Sequence, residues 1–511
     1  MEENVILILR ESRIEVNKGK LASKSHYFAS LFSHNFNDSG NKEHIINYDI
    51  ALSTLQNFIE WIQDEKERVD LNSHSIKTSM TMFIKDNFSE LLNLLQLSVL
   101  FAVDELIDDI VEIIVLCWLM PDKVIDTWLL AQELNVKVLQ DICLSVCLDR
   151  FHELPLPLLI KLTKDNITQL IKNVNVRSSV GYLKFVRNEW MQHHTTSDIM
   201  DIKKDKQLKF MHGVLACHNN AEKDVYLYTW NGNVLSKHVQ LKMLLGYKRL
   251  FGMQIVGRGF SVYVVGGESM LGSGRFNKDI WRYCFISKKW YYQASLPVPR
   301  RHMVVAFLKN KLVIVGGVGV HRLKLSSVDI LDIHTGEWRK GAKVPECFTD
   351  VIPHSVMDGK LFLIKSAVYI YHSDDNYWET ILFYDNPVVP RVHAILTPNA
   401  TLFLHGDRLG EKVLCRADLV KDSVCEKEEC LKQCVEHETI TDVYILHERD
   451  SCQLRYAVTG NTVIMLLTVR RDDEYRYLHV CADMRRDFRD ISILEVGCSN
   501  IMDPDTLYNI V

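Results

Sequence analysis

Phe260-Ser-Val-Tyr-Val-Val-Gly-Gly267 and Asn310-Lys-Leu-Val-Ile-Val-Gly-Gly317 decide the fold. Each is a short apolar, β-branched run closed by a glycine pair, and the pairs stand 50 residues apart. Trp290 follows Gly266-Gly267, and Trp338 follows Gly316-Gly317. A third unit, Lys360-Leu-Phe-Leu-Ile364 with Trp378 after it, carries Lys365-Ser366 where the glycines stood. The tryptophans are spaced 48 and 40 residues apart. Strand, tight turn and aromatic repeating at this period mark a four-stranded unit that buries its faces only against its neighbours. Glycine pairs allow a bend where a side chain would obstruct a neighbour. The tryptophan fills the wedge between units. One tryptophan in a strand is ordinary core; three in register with two glycine pairs are a repeat.

Fainter units extend the pattern: Val225-Tyr-Leu-Tyr228, Thr401-Leu-Phe-Leu-His-Gly406 and Thr462-Val-Ile-Met-Leu-Leu467. They bring the count to six. Everything after Asp205 alternates short apolar segments with turn residues, as an all-β domain does. Upstream the rhythm is helical. Phe88 to Val115 carries an apolar stripe with acids opposite, and the 3.6-residue period continues through Leu148 and again to Ile171. Between Asp86 and His194 only Pro121, Pro155, Pro157 and Gly181 interrupt it. Ahead of the helices, Val5–Leu9 and Ile14–Val16 read as strands, Ser25–Phe32 as a helix and Asp64–Thr81 as a loop. The polar stretch His193–Lys206 is the natural boundary between the two rhythms.

At 511 residues the chain needs two or three domains. Its net charge of −5 offers no footprint for nucleic acid or an anionic membrane. The longest pure apolar run, Ile113–Met120, is too short to span a bilayer. Met1-Glu-Glu-Asn-Val5 does not open like a secretory leader, and thirteen cysteines, an odd number, fit free thiols in a reducing compartment. The expected location is the cytoplasm, with the nucleus or cytoskeleton as alternatives.

Chemistry is sparse. Cys425, Cys430, Cys434 and His437 have a spacing that could hold zinc, but the run Glu426-Lys-Glu-Glu429 favours a solvated insert within the cysteine-rich Cys415–Cys452 region. His193-His194 reads as a polar helix end, and Gly272-Ser-Gly274 as a turn. No nucleophile elbow, zinc-protease or phosphate-loop motif is present, so neither catalysis nor a cofactor or metal is expected. Binding chemistry is better represented. Pro299-Arg300-Arg301-His302 and Pro390-Arg391-Val392-His393 fall in equivalent loops by register with the glycine pairs. Arg300, Arg301, His302, Arg391 and His393 there suit an acidic or phosphorylated client. The competing reading makes these arginines solvated loop residues, or has them salt-bridge each other's blades.

The order of these signals resembles the BTB–BACK–Kelch family. Ile14–Phe32, with Ser25-x-Tyr27-Phe28-x-x-Leu31-Phe32, is similar to its BTB domain. Leu130-Ala-Gln-Glu-Leu134, Arg150-Phe-His-Glu153 and Phe185–Trp190 are similar to its BACK domain. The resemblance implies a multidomain chain: an α/β BTB domain (1–117), all-α BACK helices (118–200) and an all-β six-bladed Kelch propeller (207–511). It further implies a substrate adaptor of a cullin-3 ubiquitin ligase, with the propeller holding the protein to be modified. Phe36 and Asp38 match the family's cullin-contacting motif, with aspartate in place of the usual glutamate. The chain starts four residues before its first expected strand, so the swapped helix that normally precedes it is not expected, and dimerisation would use another surface or the protein would be a monomer. An actin-associated scaffold and a regulatory binder without cullin are the alternative functions.

Overall fold

A computed structural model describes residues 3–33, 40–63, 87–173, 176, 178–195, 212–217, 225–230, 235–241, 250–258, 261–333, 335–357 and 359–383. It also describes the backbone of strands at 393–396, 401–408, 411–420, 430–432, 451–459, 462–471, 474–481, 489–493 and 498–499. The chain divides into two compact units, Met1–Lys161 and Leu162–Val511.

In the first unit, β1 (Asn4–Leu9) pairs antiparallel with β2 (Ser12–Asn17) and parallel with β3 (Glu43–Ile45). Alternation sends Val5, Leu7 and Leu9 into the core. Helices α1 (Lys18–Lys24), α2 (His26–Leu31), α3 (Leu52–Gln63), α4 (Phe88–Leu100) and α5 (Asp104–Cys117) follow. They are succeeded by α6 (Pro121–Glu133), α7 (Lys137–Asp149) and α8 (Leu156–Lys161). Asn17, Ser25 and Asn87 cap α1, α2 and α4 through their side chains. The apolar stripe of Phe88–Val115 lies on two helices rather than one. The break sits at Ala102, whose φ is +49°. Val103 N donates to Ser98 O and Ala102 N to Val99 O, a left-handed helix end without glycine. Distant groups hold it there, because Ser25 Oγ donates to Phe101 O (2.6 Å) and His26 N to Ala102 O.

The second unit opens with α9 (Lys164–Ile171) and α10 (Val180–His193), and Trp190 Nε1 ties them by donating to Leu162 O. Strands follow in four-stranded antiparallel groups. The best described are β7 (Gln254–Arg258) to β10 (Lys289–Ser295), through β8 (Ser261–Val265) and β9 (Asp279–Cys284). Next come β11 (Val304–Leu308), β12 (Lys311–Val315), β13 (Val328–Asp332) and β14 (Trp338–Gly341). A third group holds β15 (His354–Met357), β16 (Lys360–Ile364), β17 (Ala367–His372) and β18 (Tyr377–Phe383).

The fainter repeats form strands too. β4 (His212–Cys217), β5 (Val225–Trp230) and β6 (Leu235–Gln240) lie beside β27 (Cys498–Ser499) in the order β27-β4-β5-β6. β19 (His393–Leu396), β20 (Thr401–Arg408), β21 (Glu411–Val420) and β22 (Cys430–Lys432) make another group. It meets the edge of β18 through a short parallel pairing, Leu382 with Cys430 and Phe383 with Leu431. The last group is β23 (Ser451–Thr459), β24 (Thr462–Arg471), β25 (Glu474–Cys481) and β26 (Arg489–Ile493). First strands neighbour one another in series: β27 with β7, then β7, β11, β15, β19 and β23.

The three tryptophans occupy one position in this scheme. Trp290, Trp338 and Trp378 each stand first or second in the fourth strand of their group, opposite Tyr283, Leu331 and Tyr371 of the strand before. Each packs into the interface with the preceding sheet. Trp290 joins a cluster containing Leu227 and Leu250, Trp338 one containing Val256 and Tyr263, and Trp378 one containing Val304 and Val313. A half-buried indole thus closes the wedge between sheets.

Candidate functional site

The sequence places two binding regions on this scaffold. In the first unit, α2 is anchored by Phe28, which is buried with Phe101 at 4.9 Å and Phe32 at 5.9 Å between ring centroids. Phe36 and Asp38, six and eight positions after Ser30, lie outside the described residues.

In the second unit, the glycine pairs follow β8 and β12 directly. Gly266 has φ +65°, and a Cβ there would stand 2.7 Å from Arg300 O. Gly317 has φ +87°, and its Cβ would stand 2.6 Å from Arg301 O. Both glycines are therefore required twice, by conformation and by space. The obstructing backbone belongs to Pro299-Arg300-Arg301-His302, the loop from β10 into β11. That loop is stitched into both sheets: Gly267 N donates to Arg300 O, and Arg301 and Val318 exchange backbone bonds at 2.9 Å.

The side chains of this loop correct the expected role of Arg300. Its guanidinium is fully buried and bonds Val298 O, Gly316 O, Ser327 O and Oγ, and the Asp329 carboxylate. Lys340 Nζ meets the second oxygen of Asp329. Burial pulls the Arg300 pKa below its usual value, against the opposing pull of Asp329. Arg300 is a fastener within the repeat and is closed to a client. Sequence spacing could not reveal this, since its anionic partner comes 29 positions later on a strand.

Arg301 and His302 are also largely covered. Arg301 Nε lies 2.9 Å from buried Glu268 Oε2, near enough to pair but out of line for a hydrogen bond. The other Glu268 oxygen accepts from Gly274 N at 2.8 Å. His302 Nδ1 sits 3.0 Å from Thr349 O. Burial lowers its pKa, so the ring is neutral at pH 7 and Nδ1–H is the donor. His393 opens β19, the strand equivalent to β11, while Arg391 lies outside the described residues.

Exposed apolar and basic side chains stand instead on the neighbouring connections, β8–β9, where the sequence marks only the turn Gly272-Ser-Gly274, and β12–β13. Met270, Leu271 and Leu323 there are 65%, 53% and 62% exposed. Arg275, Arg322 and Lys324 accompany them, also exposed.

Of the cysteine-rich region, Cys430 falls in β22 and Cys425, Cys434 and His437 lie outside the described residues. Among the described residues no three His, Cys, Asp or Glu side chains gather to hold a metal, and no helix is long and apolar enough to cross a membrane. Cys143 and Cys147 on α7 are free but buried, and burial raises both thiol pKa values.

Comparison with known proteins agrees with this architecture. The BTB/POZ domain family matches residues 2–116, and the Kelch motif family matches residues 299–345. The second match covers the loop of Arg300 and all of β11 to β14. The chain is also similar to the F-box/kelch-repeat protein SKIP30 of Arabidopsis thaliana, 26% identical over 115 residues. That similarity spans 21% of this chain and 33% of the relative. A BTB/POZ domain and a Kelch motif in one chain are a pairing of protein-interaction modules, and the chain fits the BTB–Kelch family.

Proposed function

We propose that this chain is a non-catalytic adaptor that joins a client protein to a cullin-3 ubiquitin ligase. The BTB domain and the helices after it, through residue 200, form the scaffold-binding part. Residues 207–511 form a six-bladed propeller that holds the client. The observation that carries this reading is the joining of a BTB/POZ domain to Kelch sheets in one chain. Six groups of strands whose first members neighbour one another in series support the ring. So does the pairing of β27 with β4, which brings the first and last described strands of the unit into one sheet. Covalently linking two binding parts raises the effective concentration of one partner beside the other, so no chemistry by the adaptor is needed. The work takes place in the cytoplasm or nucleus, where a ligase of this kind operates on free-thiol proteins.

Binding of the purified full-length chain to purified cullin-3 tests the proposal. Capture that weakens at least tenfold in Phe36→Ala is expected. No capture, with Phe36→Ala indistinguishable from the parent, removes cullin from the reading. Proximity labelling by the full-length chain and by residues 1–200 tests the client half, since clients should be lost on truncation.

A further inference from the structure

Two tight turns stand side by side on adjacent sheets of the second unit. The first, Met270-Leu-Gly-Ser273, lies between β8 and β9, closed by Ser273 N donating to Met270 O at 2.9 Å with Gly272 at φ +82°. The second, Val320-His-Arg-Leu323, lies between β12 and β13, closed by Leu323 N donating to Val320 O and Gly319 N to Leu323 O. Its two central residues, His321 and Arg322, both have positive φ, +56° and +58°. That conformation favours Asn-Gly, and non-glycine residues there carry strain of roughly 1 kcal/mol or more each. The strained turn brings Arg322 across to the other loop, where its Nη2 lies 3.3 Å from where a Gly272 Cβ would stand.

These turns hold three of the four most exposed large apolar side chains among the described residues, Met270, Leu271 and Leu323. Apolar side chains this open, clustered on adjoining turns, mark an interaction surface rather than scattered exposure. The charge around them has one sign. Arg275, Arg322 and Lys324 are exposed and have no ion pair among the described residues. The only carboxylate in segments 268–278 and 318–327 is Glu268, which is buried beside Arg301.

We infer that the paired turns are the client-binding patch, and that they take an acidic peptide segment carrying adjacent bulky apolar residues. The apolar pair would rest on Met270, Leu271 and Leu323, and flanking carboxylates would meet Arg275, Arg322 and Lys324. This rests on the adaptor reading and assigns its client side to these residues in place of buried Arg300.

The test uses the full-length chain and a displayed library of random twelve-residue peptides. Selected sequences should carry two neighbouring apolar residues flanked by carboxylates. Fluorescence anisotropy of the best peptide should show at least a tenfold weaker Kd for Arg275→Glu/Arg322→Glu, and a several-fold weaker one for Met270→Ser/Leu271→Ser. Unchanged thermal unfolding of both variants separates lost binding from lost folding. Selection of basic or uncharged peptides, no selection, or equal binding by the charge-swapped variant overturns the inference. So does a twelve-nucleotide oligouridine binding as tightly as the selected peptide. Proximity labelling by the charge-swapped full-length chain separates the two levels. Neighbours that depend on 207–511 but persist in the variant sink the patch alone, and the absence of any such neighbours sinks the adaptor.

Discussion

The turns after β12 and β16 do the same job with opposite materials. After β12, Gly316-Gly317 leaves room for the backbone of the entering loop, and the cation comes from that loop as buried Arg300. After β16, Lys365-Ser366 stands in the glycine positions, and the turn supplies its own cation. Lys365 Nζ donates to Cys347 O and pairs with Glu346 at 2.7 Å. Glu346 also accepts from Ser366 Oγ and from Tyr369 OH. The first junction is dry and sterically tight. The second is about one third exposed and electrostatic. A repeat can therefore lose its sequence signature while the neighbouring sheets still meet, provided other groups satisfy the same backbone.

The largest test breaks the dry junction. Arg300→Ala leaves the Asp329 carboxylate buried with only surface Lys340 as partner, alongside unpaired carbonyls. Removing one member of a buried pair costs about 3–5 kcal/mol. Denaturant unfolding of the full chain should show that loss, whereas Lys365→Ala should cost about 1 kcal/mol or less, the range of exposed pairs. Equal effects would erase the distinction between the junctions.

A smaller effect comes from shape alone. Gly317→Ala adds a Cβ at φ +87° against a backbone oxygen, and strain of this kind costs of order 1–3 kcal/mol. Ser366→Ala removes a hydroxyl from a half-open site and should cost about 1 kcal/mol. Thermal melts of the two variants compare steric with polar control directly.

The smallest test is one of pH. Burial tends to raise the Glu346 pKa, but bonds from Lys365, Ser366 and Tyr369 together hold it below the ordinary value. A depressed folded pKa means its stabilisation is fully present above the unfolded value, about 4.3, and is lost as pH falls through the folded one. Glu346→Gln should lower stability modestly near pH 7, where the carboxylate's contribution is fully present, and flatten the profile below about pH 4.5, where the parent loses it. An identical acid limb in the variant would detach Glu346 from the junction.

Much of this fold is legible in the sequence because its signals are local. Glycine pairs fix a turn within two residues, and the tryptophans share a register that the strand pairing reproduces. What escaped reading depends on partners far along the chain. The helix break at Ala102 has no Gly or Pro to announce it and is held by the bond from Ser25 to Phe101, 76 positions apart. The turn at His321-Arg322 lacks the residues its backbone favours. Arg300 reads as a loop cation until Asp329 is found beneath it. Of the candidate site, the loop Pro299–His302 is legible as a junction between sheets, but the burial of Arg300 is not, because exposure is a property of packing and not of residue type.

The pairing of β27 with β4 joins Cys498 to Leu215, positions 283 residues apart. During synthesis β4 must therefore wait on the ribosome's output for nearly the whole domain before its open edge is covered, a late step typical of long-range pairing. Until then that strand presents unpaired backbone to other nascent chains. A premature stop or proteolytic nick ahead of Cys498 would leave every upstream sheet intact in sequence yet produce a sticky, chaperone-dependent polypeptide.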